Sequence, residues 1–158
     1  MSDKEKGGES ELYVLNFKLG KSLYGIDIKI SKEVVSKFDV TYIPKTPGFI
    51  LGAINLHGEI VTVFDIRYFL GLEDTKLSDD AKVIIIDMDG NHIGVAVDDI
   101  TETRGLTASD IQAPPVTLQG EALEYVEGQI HLDEDILVLL NLERMLNIEK
   151  IRVLKGEE

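Results

Sequence analysis

The sequence predicts an all-β protein made of two related small β-barrels with a few short helices. Apolar residues alternate with polar ones in two hairpin patterns, the period of half-buried strands. The two hairpins superpose without a gap when Val14 is placed on Val83. A second correspondence, which places Gly52 on Gly128 at a slightly larger offset, carries a strand pair and a short helix.

The first hairpin begins at Leu12, after a polar segment, residues 1–11, that cannot bury apolar area and is expected to be a flexible tail. Apolar side chains alternate over residues 15–19 and again over 24–28, and Gly20 opens the turn between them. The second hairpin repeats this pattern from residue 83 and turns at Asp89-Gly90-Asn91, which are favoured hairpin residues. Each half of the chain is therefore predicted to start with a hairpin.

A strand pair and one short helix are expected to follow in each half. Asp65 and Asn141 are good N-caps, because a short side-chain oxygen accepts amide hydrogens of the first helical turn. Gly71 and Asn147 are residue types that tolerate the left-handed conformation just beyond a helix. Matching caps at both ends of both helices favour duplication over chance alignment of apolar strands.

These patterns predict two subdomains, 12–80 and 81–150, joined through the acidic stretch 73–80. Because about 70 residues seldom supply a sufficient core, the subdomains should share an apolar seam or exchange strands. Residues 148–154 fit a last strand or short helix, and 151–158 are assigned to a C-terminal tail.

Composition excludes several classes of function. The chain has 158 residues, 29 acidic and 16 basic, and a formal charge of −13, which disfavours nucleic acid and anionic lipid as partners. It has no cysteine, no apolar run of membrane-spanning length and no secretory signal pattern. We expect a cytoplasmic protein without direct membrane insertion.

A search for reactive groups predicts no catalytic set, no metal site and no cofactor. His57, His92 and His131 lie on separate elements and lack metal-ligand spacing. Asp98 and Asp99 cluster with Glu102, so a small carboxylate-dependent hydrolase stays open as an alternative, although such clusters arise by chance in an acidic chain. What the residues favour is a binding module.

The stretch from Pro44 to Ile66, Pro-Lys-Thr-Pro-Gly-Phe-Ile-Leu-Gly-Ala-Ile-Asn-Leu-His-Gly-Glu-Ile-Val-Thr-Val-Phe-Asp-Ile, resembles the signature of the CheW family of bacterial chemotaxis coupling proteins. Further similarity lies in Tyr-Gly-Ile-Asp-Ile at 24–28, Lys-Glu-Val at 32–34, Gly-Val-Ala-Val-Asp-Asp-Ile at 94–100 and Ile-Leu-Val-Leu-Leu-Asn-Leu at 136–142. The resemblance covers nearly the whole span 12–150, which it implies is one CheW-like domain of two intertwined SH3-like five-stranded β-barrels.

The resemblance implies a non-enzymatic adaptor that couples the cytoplasmic tip of a methyl-accepting chemoreceptor to the histidine kinase CheA in signalling arrays. An alternative within the family is the CheW-like regulatory module of a CheA- or CheV-type protein. The kinase regulatory domain would contact Glu33, Val34 and His57. Asn55 and Gly58 would shape the turn that presents His57.

Matching family positions place a receptor groove between the barrels, with residues along or beneath it: Ser31, Gly52, Val83, Gly94, Ile100 and Thr103. Two positions depart from the family pattern. Family members usually carry arginine where this chain has His57, and often proline where it has Thr62. Histidine lacks the permanent charge and the bidentate fork of arginine, so a contact that depends on that fork should differ here.

Overall fold

A computed structural model describes residues 11–72, 77–115 and 120–147. The expectations for the N-terminal tail, apart from Glu11, and for residues 148–158 lie outside the described residues. Ten strands are described: β1 Leu12–Leu19, β2 Ser22–Asp27, β3 Ser31–Val35, β4 Ile50–Leu56, β5 Glu59–Phe64, β6 Lys82–Met88, β7 Asn91–Val97, β8 Asp99–Leu106, β9 Val126–His131 and β10 Ile136–Leu140. The helices are α1 Arg67–Leu70, α2 Glu121–Glu124 and α3 Leu142–Met145, with 3-10 turns at Ile28–Ile30 and Ala108–Asp110.

The strands form two five-stranded sheets, which confirms the predicted all-β class with intertwined barrels. The first barrel has the order β9-β10-β2-β1-β8, and the second has the order β3-β6-β7-β5-β4. Backbone pairs between Gln112 and Gln129 in the first barrel, and between Thr41 and Ala53 in the second, extend each sheet towards closure. The strands of the second barrel follow one another directly in the chain order, from β3 to β7, and the first barrel uses the described strands on either side of them.

This topology exchanges the hairpins between the sequence halves. The hairpin β1–β2 of the first half joins the strands β8, β9 and β10 of the second half, and the hairpin β6–β7 joins β3, β4 and β5. The division at residue 80 thus describes the sequence repeat, and as a domain boundary it stays a prediction. Within the described residues the chain passes between barrels at residues 28–30 and at residue 98.

The duplication is preserved in strand register. In the hairpins, Leu15 opposes Ile26, and the residues aligned with them in the second half, Ile84 and Val95, oppose each other in the same way. The second correspondence likewise relates one antiparallel pair, Ala53 with Thr62, to another, Gln129 with Val138. A β-bulge also recurs at matching positions, after residue 50 in β4 and after residue 126 in β9. Shared register and shared irregularities indicate that the two halves are related beyond their apolar periodicity.

The largest apolar cluster lies between the barrels. It contains residues of both sheets, including the fully buried Phe17 and Ile26 from the first and Ile86 and Val95 from the second. Smaller clusters lie within each barrel, around Val63 in the second and around Leu137 in the first. The expected apolar seam is therefore present, and burying it gives the two small barrels a joint core.

The helix caps match the sequence prediction at three of the four positions, and at one of these three the helix begins one residue later than predicted. Asn141 is the N-cap of α3 and its side chain accepts from the Arg144 amide, as predicted. Asp65 accepts from the Arg67 amide at 3.1 Å, although the helix boundary falls one residue later. Gly71 ends α1 at φ 73°, as predicted. The prediction for Asn147 was wrong, because α3 ends on Leu146 at φ −118° and Asn147 is not among the left-handed residues.

Candidate functional site

The tight turn between β4 and β5 is built by three residues of the pattern Asn-x-His-Gly. His57 and Gly58 have φ values of 53° and 84°, the left-handed pair that a two-residue hairpin turn requires. The Asn55 side-chain oxygen accepts from the Gly58 amide at 3.2 Å and holds the turn from within. The arrangement lifts His57 out of the barrel, with 75% of its side chain exposed.

The three residues predicted for the kinase face lie at the same end of the second barrel. Nε2 of His57 lies 3.4 Å from the Glu33 carboxylate, so the β4–β5 turn reaches across to β3. Val34 follows on β3 and is 38% exposed. An exposed contact of this kind, even when both groups are charged, contributes at most about 1 kcal/mol, so it fixes geometry weakly and leaves both groups accessible to a partner.

A second histidine–carboxylate pair at this end was not anticipated. Nδ1 of His92, near the start of β7, lies 3.0 Å from the Glu59 carboxylate, which begins β5 directly after the turn. Ile60 follows with 70% of its surface exposed. Ile136, which corresponds to Ile60 in the repeat, is also exposed, at 49%.

Three of the predicted receptor-groove residues are buried. A side chain at Gly52 would collide with the carbonyl oxygen of Thr41 and the side chain of Val40, and the φ of +150° there also disfavours residues other than glycine. A β-carbon at Gly94 would lie 2.8 Å from Val83, which is fully buried. Gly52, Val83 and Gly94 can therefore act beneath a surface but do not form one.

The other three residues of that set lie near the crossovers between barrels. Ser31 opens β3 directly after the first crossover, and Ile100 lies in β8, two residues after the second. Both are half-buried, and Ile100 packs against the inter-barrel cluster. Thr103 lies farther along β8 and is exposed. Ser31 and Ile100 occupy equivalent positions of the two sequence repeats. Each is paired with a neighbouring strand next to a β-bulge, Ser31 on β6 and Ile100 on β1.

The carboxylates of the hydrolase alternative are engaged in structural contacts. Asp98 accepts from two backbone amides, those of Gly20 and Ser78. A hydrogen bond from Lys82 lowers the pKa of Asp99, and the backbone amide of Ile100 acts in the same direction. Glu102 forms an ion pair with Arg104 at 2.9 Å. A hydrolytic general acid needs a raised pKa and a shared concave site, and Asp99 is shifted the other way.

Across residues 11–72, 77–115 and 120–147, no three histidine or acidic side chains come together in a way that could hold a metal ion. In the same ranges no helix is long and apolar enough to cross a membrane. An open cleft of about 610 Å³ lies where the segment after β3 meets the segment before β6, and it is lined in part by Lys37, Phe38 and Leu77. None of the predicted site residues lines this cleft.

Known proteins are similar to this one over most of the chain. Residues 13–150 match the family model of the CheW-like domain. The chemotaxis protein CheW of Klebsiella aerogenes is 34% identical over 137 residues, which cover 87% of this chain and 82% of that protein. The chemotaxis protein CheW of Treponema pallidum is 26% identical over 150 residues, which cover 92% of this chain and 88% of that protein.

A solved structure of a related protein has a similar fold. The crystal structure of the scaffolding protein TtCheW from Thermoanaerobacter tengcongensis matches with a TM-score of 0.77 and 31% identity, covering 88% of this chain and 94% of that one. The family model, the sequence relatives and the solved structure thus agree with the resemblance seen in the sequence. The chain belongs to the CheW-like domain family.

Proposed function

We propose that this protein is a non-enzymatic chemotaxis adaptor that couples the cytoplasmic tips of chemoreceptors to the histidine kinase CheA. The family match over residues 13–150 carries the proposal, together with relatives named chemotaxis protein CheW and a structural neighbour described as a scaffolding protein. The protein would act in the cytoplasm and be recruited to membrane-associated receptor arrays. It would need no cofactor for this role.

The kinase-facing surface is assigned to Glu33, Val34 and His57. Its support is geometric, because the β4–β5 turn brings His57 next to Glu33 of β3, 24 residues earlier in the sequence, at an exposed end of the second barrel. A histidine–carboxylate pair beside an exposed valine has the mixed character of small protein–protein interfaces. We add Ile60 to this surface, since it follows the β4–β5 turn closely and 70% of its surface is exposed.

The receptor-facing surface is assigned to the groove region between the barrels. Ser31 and Ile100 support it, because both lie near crossovers and border the shared seam. Thr103 would extend the surface along β8. Gly52, Val83 and Gly94 would act from beneath, by keeping the strands flat and closely packed where a receptor helix docks.

Two other functions are alternatives to the separate chemotaxis adaptor. A CheW-like regulatory module of a CheA- or CheV-type protein would share the fold and both surfaces, and the relatives named chemotaxis protein CheW favour the separate adaptor. A hydrolase using Asp98, Asp99 or Glu102 is disfavoured by their structural hydrogen bonds and ion pairs.

Isothermal titration of the full chain with the regulatory domain of CheA, and separately with a receptor tip fragment, tests the proposal. Saturable binding to both is expected. Binding to the receptor fragment alone would contradict the kinase-facing assignment, and the absence of heat with either partner across several buffers and temperatures would refute the adaptor function.

Charge reversal separates the two surfaces. Glu33→Lys should weaken kinase binding about tenfold or more, because it replaces a negative charge of the kinase-facing surface by a positive one, and should leave receptor binding unchanged. Glu134→Lys makes the same charge change in the exposed β9–β10 turn of the first barrel and serves as the control. Equal losses in both variants would mean that overall charge, and not this surface, governs binding.

A further inference from the structure

The second crossover between the barrels is a single residue, Asp98. It lies between β7, an inner strand of the second barrel, and β8, an edge strand of the first. A one-residue connection acts as a hinge unless other contacts restrain it, because only its own backbone dihedral angles set the direction of the next strand. The other crossover, residues 28–30, is a 3-10 turn that packs against β1 and β6.

Asp98 is held by four hydrogen bonds to segments distant in sequence. Its carboxylate oxygens accept from the Gly20 amide and the Ser78 amide, each at 2.6 Å. Its own amide donates to the Lys18 carbonyl at 2.9 Å, and its carbonyl accepts from the Ser78 hydroxyl at 3.1 Å. Gly20 lies in the β1–β2 turn of the first barrel, and Ser78 lies in the segment that leads into β6 of the second.

A buried arginine lies within electrostatic range of Asp98. Arg67, at the start of α1, is 7% exposed and forms a two-point ion pair with Asp65, at 2.8 and 2.6 Å. The hydrogen bonds from Arg67 to Asp65 raise the pKa of the guanidinium, and the negative charge of Asp98 adds to the effect. Lys82 of β6 also pairs with Asp99 of β8 at 3.3 Å, a second link between barrels next to the crossover.

We propose that Asp98 is a positioning residue that clasps the two barrels in one orientation. The Asp98 carboxylate accepts one hydrogen bond from Gly20 of the first barrel and one from Ser78, in the segment before β6 of the second. Rotation about the crossover would therefore break a charge-assisted hydrogen bond on one side or the other. The equivalent residue in the repeat is Lys29, which cannot accept hydrogen bonds through its side chain, so this clasp exists at one crossover and not at the other. The functional consequence rests on the proposed adaptor role: the clasp sets the relative position of the kinase-facing and receptor-facing surfaces.

Amide hydrogen exchange of the full chain tests the clasp without any partner. In Asp98→Asn the amides of Gly20 and Ser78 should exchange about tenfold faster or more, because a charged acceptor is replaced by a neutral one that also carries donors. Glu143→Gln, an equal charge change at an exposed position of α3, should leave both amides unchanged. Unchanged exchange in Asp98→Asn would overturn the proposal.

Barrel orientation is read separately from a spin-label distance. The chain has no cysteine, so Asn91→Cys in the second barrel and Glu134→Cys in the first give two unique labelling sites, both at exposed positions. The distribution of label distances should broaden in Asp98→Asn and not in Glu143→Gln. Faster exchange with an unchanged distribution would show that the carboxylate caps two amides without orienting the barrels, and would also overturn the proposal.

A milder variant keeps the test usable if Asp98→Asn does not fold. Ser78→Ala removes only the hydroxyl that donates to the Asp98 carbonyl. It should broaden the distance distribution to a smaller extent, and an unchanged distribution would contradict the clasp. Since neither measurement includes CheA or a receptor fragment, failure of the clasp is distinguishable from failure of the adaptor function.

Discussion

Replacing Asn16 by valine should stabilise the protein, although Asn16 is a native residue in a central strand. Its side chain is 1% exposed on β1, and within the described part of the chain its Oδ1 accepts no hydrogen bond. It lies opposite Gly25, on the strand face that contributes Val14 to the small core of the first barrel. At the equivalent position of the second barrel stands Ile85, opposite Gly94 and fully embedded in apolar neighbours.

The size of the effect follows from what the valine removes. A buried amide oxygen without a partner costs about 1–3 kcal/mol. Valine is close to asparagine in volume and adds apolar area to the core, so overpacking should be small. We expect a gain of about 1–2 kcal/mol in the free energy of unfolding, which corresponds to a rise of about 3–6 °C in Tm for a chain of this size.

Thermal and urea unfolding of the wild type, Asn16→Val and two controls measure the effect. Asn91→Val, at an exposed end of β7, should change stability by less than about 0.5 kcal/mol. Ile85→Asn makes the reciprocal change in the second barrel and should destabilise by about 3 kcal/mol or more. A lower Tm for Asn16→Val would refute the reasoning. It would mean that Oδ1 is satisfied in solution, with the buried Nε of Arg104 on the adjacent strand as a candidate donor.

Four further predictions address the turns, caps and titrating groups. Gly52→Ala should destabilise by about 2–3 kcal/mol in urea unfolding, because of its positive φ and the nearby Thr41 carbonyl, whereas the exposed Gly48→Ala, whose added β-carbon would lie 3.8 Å from Tyr68, should cost under about 0.5 kcal/mol. Asn141→Ala removes the N-cap of α3 and should cost about 1 kcal/mol by the same measurement. Burial raises the pKa of Tyr24 above 10.0, so the folded state binds its proton more tightly than the unfolded state; stability is full below pH 10 and falls above it, and Tyr24→Phe should flatten that fall in unfolding titrations. His57→Arg adds a permanent charge and a bidentate fork at the kinase-facing surface, so it should change kinase affinity about tenfold or more in calorimetric titration and leave receptor affinity the same; an unchanged kinase affinity would place His57 outside the interface.

Local features of the fold were predictable because each follows from neighbours in sequence. The alternation from Leu12 and from Val83 predicted both hairpins, and the match at two offsets predicted the duplication whose register the structure preserves. Caps at Gly71 and Asn141 followed from the chemistry of short side chains and of glycine. The failure at Asn147 has a physical cause, since the chain leaves α3 at Leu146 with negative φ and needs no left-handed residue there.

The exchange of hairpins was not fixed by the same patterns. A strand edge pairs equally well with any partner of matching register, so nothing local in β1–β2 selects β8 and β10 over β3 and β5. The exchange is favoured by how the two hairpins pack against each other. The faces that carry Phe17 and Ile86 are both apolar and both buried, so the two hairpins pack in one shared cluster while each pairs with the other half's strands.

The candidate surfaces show the same division between local and distant information. The turn around His57 was readable from Asn-x-His-Gly, but the pairing of His92 with Glu59 depends on β5 and β7 running parallel, which brings together residues far apart in sequence. The role of Asp98 depends even more on the topology. In the sequence it was one carboxylate among 29 acidic residues and a candidate for chemistry, and only the topology shows that it stands where the chain changes barrels. Its hydrogen bonds to Gly20 and Ser78 then give the acid a structural role, because they tie together segments that the backbone alone would leave free to rotate.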